Sequence, residues 1–414
     1  MNHQKVNDQV VSSWRVKLVP PLLFMSLALK IASMDIYIPC MPYLTRCFQT
    51  QEWVIQLSLM VSPLFSSLTA LFYGRWTDMH GRRRIMLMSL MIFAVGSLIC
   101  ALSSGIYLFL IGRIVQAAGA GGMSVLTLVI LSDMFHGIKY ARYIAMYHTM
   151  FPITFAIAPV LGAHLFEWFN WQINFWLLMV GSLIVFISLY WVLEETLSPS
   201  HKQENDWSAL WDKSLLLVTN SYFMTMTLGH CVPIVIACIY SANSSFLFID
   251  HFQCTPITFS YLQLIPVGAN FLGAILYRQF LPRLGLERSL QVGLITICLF
   301  ISSALFCLLS SKGGLPLYIL SAICLLNFGL PFSNSTCATW AYESTTTDRG
   351  LAIAWVALVR NGLISSFVML AAVFNNGTIA PIFSIMIVFG LIVVVILRKG
   401  LLYQSRKTRH YEEP

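Results

Sequence analysis

Asp35 and Arg113 are the two residues in this sequence best suited to proton chemistry. Each lies inside a long, otherwise apolar stretch, where holding an ionised side chain costs at least about 2.5–3.5 kcal/mol. Counted along their helices, the two residues lie at comparable depth, so we expect them to approach one another. Burial disfavours an ionised carboxyl, whereas a nearby guanidinium favours it. These opposed effects predict a switchable proton site, and a static salt bridge is the alternative.

Two further cations, Lys30 and Arg360, are predicted to lie close to the membrane midplane. Lys30 is five residues from Asp35, so the two do not form an i,i+4 pair. Three buried cations against one carboxylate favour a bound molecule that is neutral or anionic. Alternatively, Lys30 or Arg360 bonds backbone carbonyls or is partly deprotonated. Polar residues that could line the same cavity, although helix–helix hydrogen bonding also explains each of them, are Gln116, Asn220, His230 and Asn327.

The loop from Gly74 to Arg84 has the pattern G-x-x-x-D-x-x-G-R-R-R. Gly74 permits close helix approach, and the Asp78 carboxylate suits the positive end of a neighbouring helix dipole. Arg82 is then expected to pair with Asp78 or with Asp133. We predict that this cluster, which includes Gly81, is a latch that closes the cytosolic side and must break when the protein opens inward. The alternative is a merely basic topology loop.

The elements that position these residues are predicted to be transmembrane helices. The chain has 414 residues, of which 57% are hydrophobic and 10% charged, whereas soluble domains carry about 25% charged residues. This composition excludes a cytosolic enzyme and a nucleic-acid-binding module. A bilayer core requires roughly 20 apolar residues per helix. Twelve stretches satisfy this requirement, at 18–38, 53–73, 85–103, 106–132, 143–165, 172–193, 215–240, 256–281, 289–310, 315–338, 350–374 and 379–397.

Charge placement predicts the orientation and the division of the chain. Most of the 25 Lys and Arg residues lie at the two ends or in the loops of one side, and the positive-inside rule therefore places both termini in the cytosol. A polar linker at 198–213 separates a six-helix bundle at 1–197 from a second bundle, with a basic tail, at 214–414. The loop after the eighth span, beginning at Gly285, partly echoes the loop at Gly81, which suggests a pseudo-repeat.

The ten cysteines have no metal or redox spacing, and no metal or cofactor is expected. Seven lie in predicted spans as small apolar residues. Cys40 and Cys47 face the outer compartment, where a disulfide is permissible, and the sequence leaves their oxidation state open.

The sequence resembles the major facilitator superfamily, whose signature is the loop at Gly74. Arg113-Ile114-Val115-Gln116 is similar to the R-x-x-Q motif of proton-coupled members, and the Pro159-x-x-Gly162 segment to the G-P-x-x-G-G motif of antiporters. The set looks like the bicyclomycin/chloramphenicol-resistance (Bcr/CflA-type) drug:proton antiporters. The resemblance implies a monomer in the cytoplasmic (inner) membrane that exports a small molecule against protons by alternating access, with Pro159 and Gly162 at a conformational bend.

Three other functions stay open. The exported molecule could be an anionic metabolite, such as a citrate-type siderophore, which would suit three convergent cations. The same scaffold could import a nutrient together with protons. A membrane-embedded enzyme would need a reactive constellation such as H-E-x-x-H, which the sequence does not contain. The expected partners are therefore protons, a small molecule and the lipid bilayer, and not nucleic acid.

Overall fold

The computed structural model describes residues 14–197, 207–309, 316–345, 349–374 and 379–412, and the regular structure in these ranges is helical. The helices are α1 (Trp14–Asp35), α2 (Met41–Cys47), α3 (Glu52–His80), α4 (Arg82–Ala101), α5 (Ile106–Met134), α6 (Gly137–Trp168), α7 (Gln172–Val192), α8 (Trp207–Thr219), α9 (Ser221–Ser245), α10 (Pro256–Leu309), α11 (Pro316–Glu343), α12 (Arg349–Val373) and α13 (Ile379–Glu412). A short 3₁₀ helix, Ile38–Cys40, joins α1 to α2, and a π-helical segment, Phe246–His251, follows α9.

The twelve predicted spans are all present as helices. In the described part of the chain, eleven helical segments are long and apolar enough to cross a membrane. One of them, α10, is interrupted at Gly285, whose φ of 71° and ψ of 174° are not helical. The parts on either side, 256–284 and 286–309, each exceed the roughly 20 residues that a span requires. The predicted eighth and ninth spans therefore follow one another directly, with only the turn at Gly285 between them.

Gly81 and Gly285 form equivalent turns in the two halves of the chain. Gly81 ends α3 with a φ of 95°, and Gly285 divides α10 with a φ of 71°. Both values lie in the left-handed region, which glycine adopts without the steric penalty that a Cβ brings. The weak sequence echo between the two loops thus corresponds to the same backbone feature.

The chain divides into two compact units, Met1–Asn205 and Asp206–Pro414. The first unit contains α1 to α7 and the second contains α8 to α13. Of the predicted linker, 198–213, residues 198–206 lie outside the described residues, and residues 207–213 form the start of α8. The predicted seventh span, 215–240, begins too early, because α8 ends at Thr219 and α9 starts at Ser221.

Cys40 and Cys47 are both free thiols in the structure. Cys40 is buried, and its Sγ accepts a hydrogen bond from Asn174 Nδ2 at 3.5 Å. Cys47, at the end of α2, is exposed. The permissible disulfide is therefore not formed.

Candidate functional site

Arg113 is the centre of a buried hydrogen-bond network in the first unit. Its side chain is 0% exposed, although a guanidinium carries a permanent charge. The guanidinium donates to four acceptors, which are the Ser33 carbonyl oxygen at 2.9 Å, the Ser58 carbonyl oxygen at 3.3 Å, Ser62 Oγ at 2.7 Å and Gln116 Oε1. These acceptors belong to α1, α3 and α5, so one side chain joins three helices.

Aromatic rings enclose the guanidinium from a further side. The Arg113 Cζ atom lies 4.8 Å from the centre of the Tyr37 ring, a separation at which a cation and an aromatic face attract. The Tyr37 hydroxyl is hydrogen-bonded to Ser58 Oγ at 2.8 Å. Phe109 and Phe175 pack against the same ring at centroid distances of 6.0 and 5.5 Å. The positive charge is thus held in a fixed position.

Asp35, at the end of α1, is also buried, with 8% of its surface exposed. Its Oδ2 atom has no hydrogen-bond partner among the described residues. Asp35 lies within electrostatic range of Arg113 and Lys30, yet the ion pairs found in the described ranges do not include a pair between Asp35 and Arg113. Asp35 and Arg113 therefore lie in one region, but they do not make the direct contact that the static salt-bridge alternative requires.

Lys30 lies one and a half turns before Asp35 on α1 and is half-buried. Its Nζ atom is 5.7 Å from the centre of the Phe151 ring on α6, a cation–π distance. Lys30 therefore faces α6, and its charge reaches Asp35 through space.

Gln116 was predicted to line a cavity, and the structure assigns it a different position. Gln116 is 1% exposed, its Oε1 accepts from Arg113, and its Nε2 donates to Ser97 Oγ at 2.7 Å. Both ends of the amide are thus used inside the first unit, the acceptor end by Arg113 and the donor end by Ser97. The spacing of three residues on α5 allows this contact.

Asn220 and Asn327 are likewise used within the helical framework. Asn220 Oδ1 accepts from the amides of Tyr222 and Phe223, both at 3.1 Å, so it caps α9 instead of lining a cavity. Asn327 Nδ2 donates to the Ile323 carbonyl of its own helix at 3.0 Å. The Asn327 carbonyl accepts from Asn270 on α10 at 3.1 Å. These contacts favour the helix–helix alternative for both residues.

His230 and Arg360 lie together in the second unit. His230 Nδ1 is 3.1 Å from the Asn334 carbonyl oxygen, and because a carbonyl only accepts, Nδ1 carries the proton. Arg360 is half-buried on α12, within electrostatic range of His230. Its Nε donates to Asn361 Oδ1 at 3.3 Å.

The predicted cluster around Arg82 forms, with one additional member. Arg82 is hydrogen-bonded to both Asp78 and Asp133, the latter at 3.1 Å from Nε. The first amides of α4 donate to the Glu195 carboxylate, at 2.7 Å from Arg82 N and 3.3 Å from Arg83 N. Glu195, and not Asp78 as predicted, thus occupies the positive end of a helix dipole.

Two parts of the latch prediction require correction. All members of the Arg82 cluster belong to the first unit, so their bonds tie α3, α4, α5 and the end of α7 to one another and cannot by themselves join the two units. Gly74 is not a site of close helix approach, because a Cβ there would meet nothing within 4 Å. This part of α3 turns the glycine away from its packed neighbours.

Gly162, by contrast, is a point of very close approach. A Cβ at this position would lie 1.7 Å from the Ile36 carbonyl oxygen, so only glycine lets α6 pack against the end of α1. Pro159 lies one turn earlier, inside a helix that is continuous from Gly137 to Trp168. The structure therefore gives Gly162 a packing role, and the predicted bend at Pro159 and Gly162 is not visible as a break in α6.

Sequence reasoning missed Glu195, Tyr37 and the serines that hold Arg113. Glu195 lies three residues before the predicted linker, and only its proximity to the Gly81 turn reveals its role. Ser58 and Ser62 are spaced i,i+4 on an apolar helix. That spacing places both on one face and is the signal that could have indicated a polar contact.

The family model of the Major Facilitator Superfamily matches residues 23–369. The chain belongs to the Major Facilitator Superfamily. It is therefore a transporter and not an enzyme, and a multi-pass protein of the cytoplasmic (inner) membrane. The predicted all-α major facilitator fold is confirmed.

Relatives and solved structures agree with this membership. The chain is 25% identical over 378 residues to the multidrug resistance protein MdtL of Klebsiella pneumoniae (strain 342), which covers 88% of this chain and 91% of that protein. It is 24% identical over 372 residues to the uncharacterized MFS-type transporter YdgK of Bacillus subtilis (strain 168), covering 87% and 89%. The nucleoside transporter NupG matches with a TM-score of 0.72 at 13% identity, over 92% of this chain and 98% of that one. A D-xylose-proton symporter matches with a TM-score of 0.69 at 13% identity, over 93% and 97%.

Proposed function

We propose that this major facilitator is a drug:proton antiporter of the Bcr/CflA type, which exports a small molecule from the cytosol by alternating access of two six-helix bundles. The similarity to a multidrug resistance protein over most of the chain supports export of drug-like molecules. The R-x-x-Q segment at Arg113 supports proton coupling. Both termini are proposed to face the cytosol.

The observation that carries this proposal is the buried, unpartnered oxygen of Asp35. An ionised carboxylate needs hydrogen bonds or a counter-ion when it leaves water, and among the described residues Asp35 forms no ion pair with Arg113. Protonation removes the negative charge, whereas the positive field of Arg113 and Lys30 favours its return. Asp35 is therefore proposed to gain and lose a proton during each cycle.

Arg113 is proposed to supply a fixed positive field and not a contact that breaks. Its donors are committed to α1, α3 and α5, so its position changes little while those helices stay packed. Asp35 lies two residues beyond Ser33, whose carbonyl is one of these acceptors. A small movement of the end of α1 would therefore change the distance between the carboxylate and the guanidinium, and with it the proton affinity.

Antiport requires that proton and exported molecule weaken each other's binding by the same factor, because binding coupling is reciprocal. A molecule that binds the inward-open protein should displace the proton from Asp35. Uptake of a proton from outside should in turn release the molecule. The substitution Asp35→Asn mimics the protonated state and should hold the protein in one half of the cycle.

The experiment is transport in oriented proteoliposomes under an imposed pH gradient. Three test compounds differ in charge: chloramphenicol (neutral), nalidixate (anionic) and ethidium (cationic). We expect the wild type to move at least one of them against the proton gradient, and Asp35→Asn to abolish that movement with normal protein yield. Glu167→Gln, the same chemical change at an exposed position, should transport like the wild type.

Two results would contradict the proposal. Undiminished gradient-driven transport by Asp35→Asn would show that another group carries the proton. Movement of the compound in the same direction as the protons would show import by symport instead of export.

A further inference from the structure

Arg360 is a cation deep in the second unit. The apolar segment that contains it runs from Leu351 to Val373, so Arg360 lies two residues from its midpoint, or about 3 Å along the helix axis at a rise of about 1.5 Å per residue. A side chain at this depth cannot readily extend its charge to the membrane surface. An arginine kept at such a position is expected to meet a partner there.

The described residues provide few hydrogen-bond acceptors for the Arg360 guanidinium. The hydrogen bond described for the Arg360 guanidinium goes from Nε to Asn361 Oδ1, and the ion pairs found in the described ranges do not include Arg360. Arg113, an equally permanent cation, has four acceptors. A guanidinium has five N–H donors, so Arg360 retains donors that no described carboxylate satisfies.

The described groups on which the charge of Arg360 acts are polar and neutral. Cys231 on α9 approaches the Val356 carbonyl, with Sγ to O at 3.8 Å, and Val356 lies one turn before Arg360 on the same side of α12. The charge of Arg360 acts on Cys231, on His230 and on Tyr342 of α11. Helices α9 and α11 therefore place neutral groups within electrostatic range of the positive charge on α12.

We infer that Arg360, assisted by Asn361, binds a carboxylate group of the transported molecule within the second unit. A guanidinium and a carboxylate form two parallel hydrogen bonds, and one negative charge balances one positive charge. A phosphate monoester carries up to two negative charges, so its charge would be only partly balanced here. The depth of Arg360 also separates the site from lipid headgroups.

This inference rests on the proposed function, since it names the chemical class of the exported molecule. It also revises the charge inventory made from the sequence. Four of the five Arg113 donors are used inside the protein, so three cations do not converge on the transported molecule. A molecule with a single carboxylate fits the structure better than one with several carboxylates.

The test measures binding without transport, so that it stands apart from proton coupling. The purified full-length protein is titrated with nalidixate, benzoate and citrate, each compared with its methyl ester, by equilibrium dialysis and by the shift in melting temperature. Wild type, Asp35→Asn, Arg360→Gln and Arg360→Lys are compared. Arg283→Gln, at an exposed position of the same unit, is the matched control.

We expect at least one carboxylate, preferably nalidixate or benzoate, to bind the wild type and Arg283→Gln. Asp35→Asn, which mimics the protonated state, should bind it more weakly than the wild type but keep the preference for the acid over the ester. The ester should bind the wild type at least about tenfold more weakly than the acid does, and the acid should bind Arg360→Gln equally weakly. In both cases a charge-assisted bidentate contact is lost. Arg360→Lys should be intermediate, since it keeps the charge without the planar fork.

The inference is overturned if none of the carboxylates binds the wild type, if esters bind as well as acids, or if Arg360→Gln binds like the wild type. If Arg360→Gln does not fold, the acid–ester comparison and Arg360→Lys still decide. Acid binding that depends on Arg360 while Asp35→Asn transports normally would refute the proton assignment and leave the carboxylate site intact.

Discussion

The network around Arg113 predicts that this residue stabilises the first unit mainly through its four acceptors and not through Asp35. The informative substitution is Arg113→Met, which keeps an unbranched but shorter side chain and removes every donor. Gln116 Oε1 and Ser62 Oγ would then be buried without the donor that each has in the structure. Asp35→Asn, by contrast, changes an oxygen that has no described partner.

The expected loss in the free energy of unfolding follows from these two side-chain acceptors. Each buried acceptor left without a donor costs about 1–3 kcal/mol, so two cost about 2–6 kcal/mol. Removing the guanidinium also relieves its own desolvation, and we therefore expect a loss of about 2–4 kcal/mol. For a unit of about 200 residues this corresponds to a fall in melting temperature of about 4–16 °C.

The assay is thermal unfolding of the purified variants in one detergent, followed by intrinsic tryptophan fluorescence. Arg113→Lys should fall between wild type and Arg113→Met, because lysine keeps the charge but cannot reach all four acceptors. Asp35→Asn should change the free energy of unfolding by less than about 1 kcal/mol, because the altered oxygen has no described hydrogen bond to lose. A loss for Asp35→Asn as large as that for Arg113→Met would refute the reasoning, since it would show that the two residues stabilise each other as an ion pair.

Two packing contacts give further predictions. Gly162→Ala should lower the melting temperature by several degrees, because its Cβ would collide with the Ile36 carbonyl oxygen and overpacking costs about 1–3 kcal/mol; Gly268→Ala, where a Cβ meets nothing within 4 Å, should not, and equal losses would contradict the packing role. Glu195→Gln should cost about 0.3–1 kcal/mol, because the start of α4 loses a negative charge at its positive dipole end. Glu194→Gln, which affects only an exposed ion pair, should cost less, and the reverse order in thermal unfolding would exclude the cap.

The helices could be predicted from the sequence because the bilayer imposes a length and a polarity on each of them. The turn at Gly285 could also be anticipated, since the loop echoes the one at Gly81. Helix ends were less certain: α9 begins at Ser221, where the capping side chain of Asn220, and not hydropathy, determines the boundary.

The candidate site could be predicted only in part, because composition does not reveal which partner a buried polar group chooses. Arg113 and Arg360 look alike in the sequence, as isolated arginines in apolar helices. In the structure one has four acceptors from three helices, and the other has one described acceptor from its own neighbour. Gln116 is used by Arg113, a contact that depends on how side chains pack within and between helices and not on hydropathy.

The most direct test of the account is a count of the protons released when a ligand binds. A compound from the binding or transport panels that binds the wild type is added at saturation to purified protein in a weakly buffered solution, across a range of pH values. If Asp35 exchanges its proton for the transported molecule, the wild type releases a proton over the pH range in which Asp35 is protonated, whereas Asp35→Asn binds the compound and releases none. Equal proton release from wild type and Asp35→Asn would contradict the central claim.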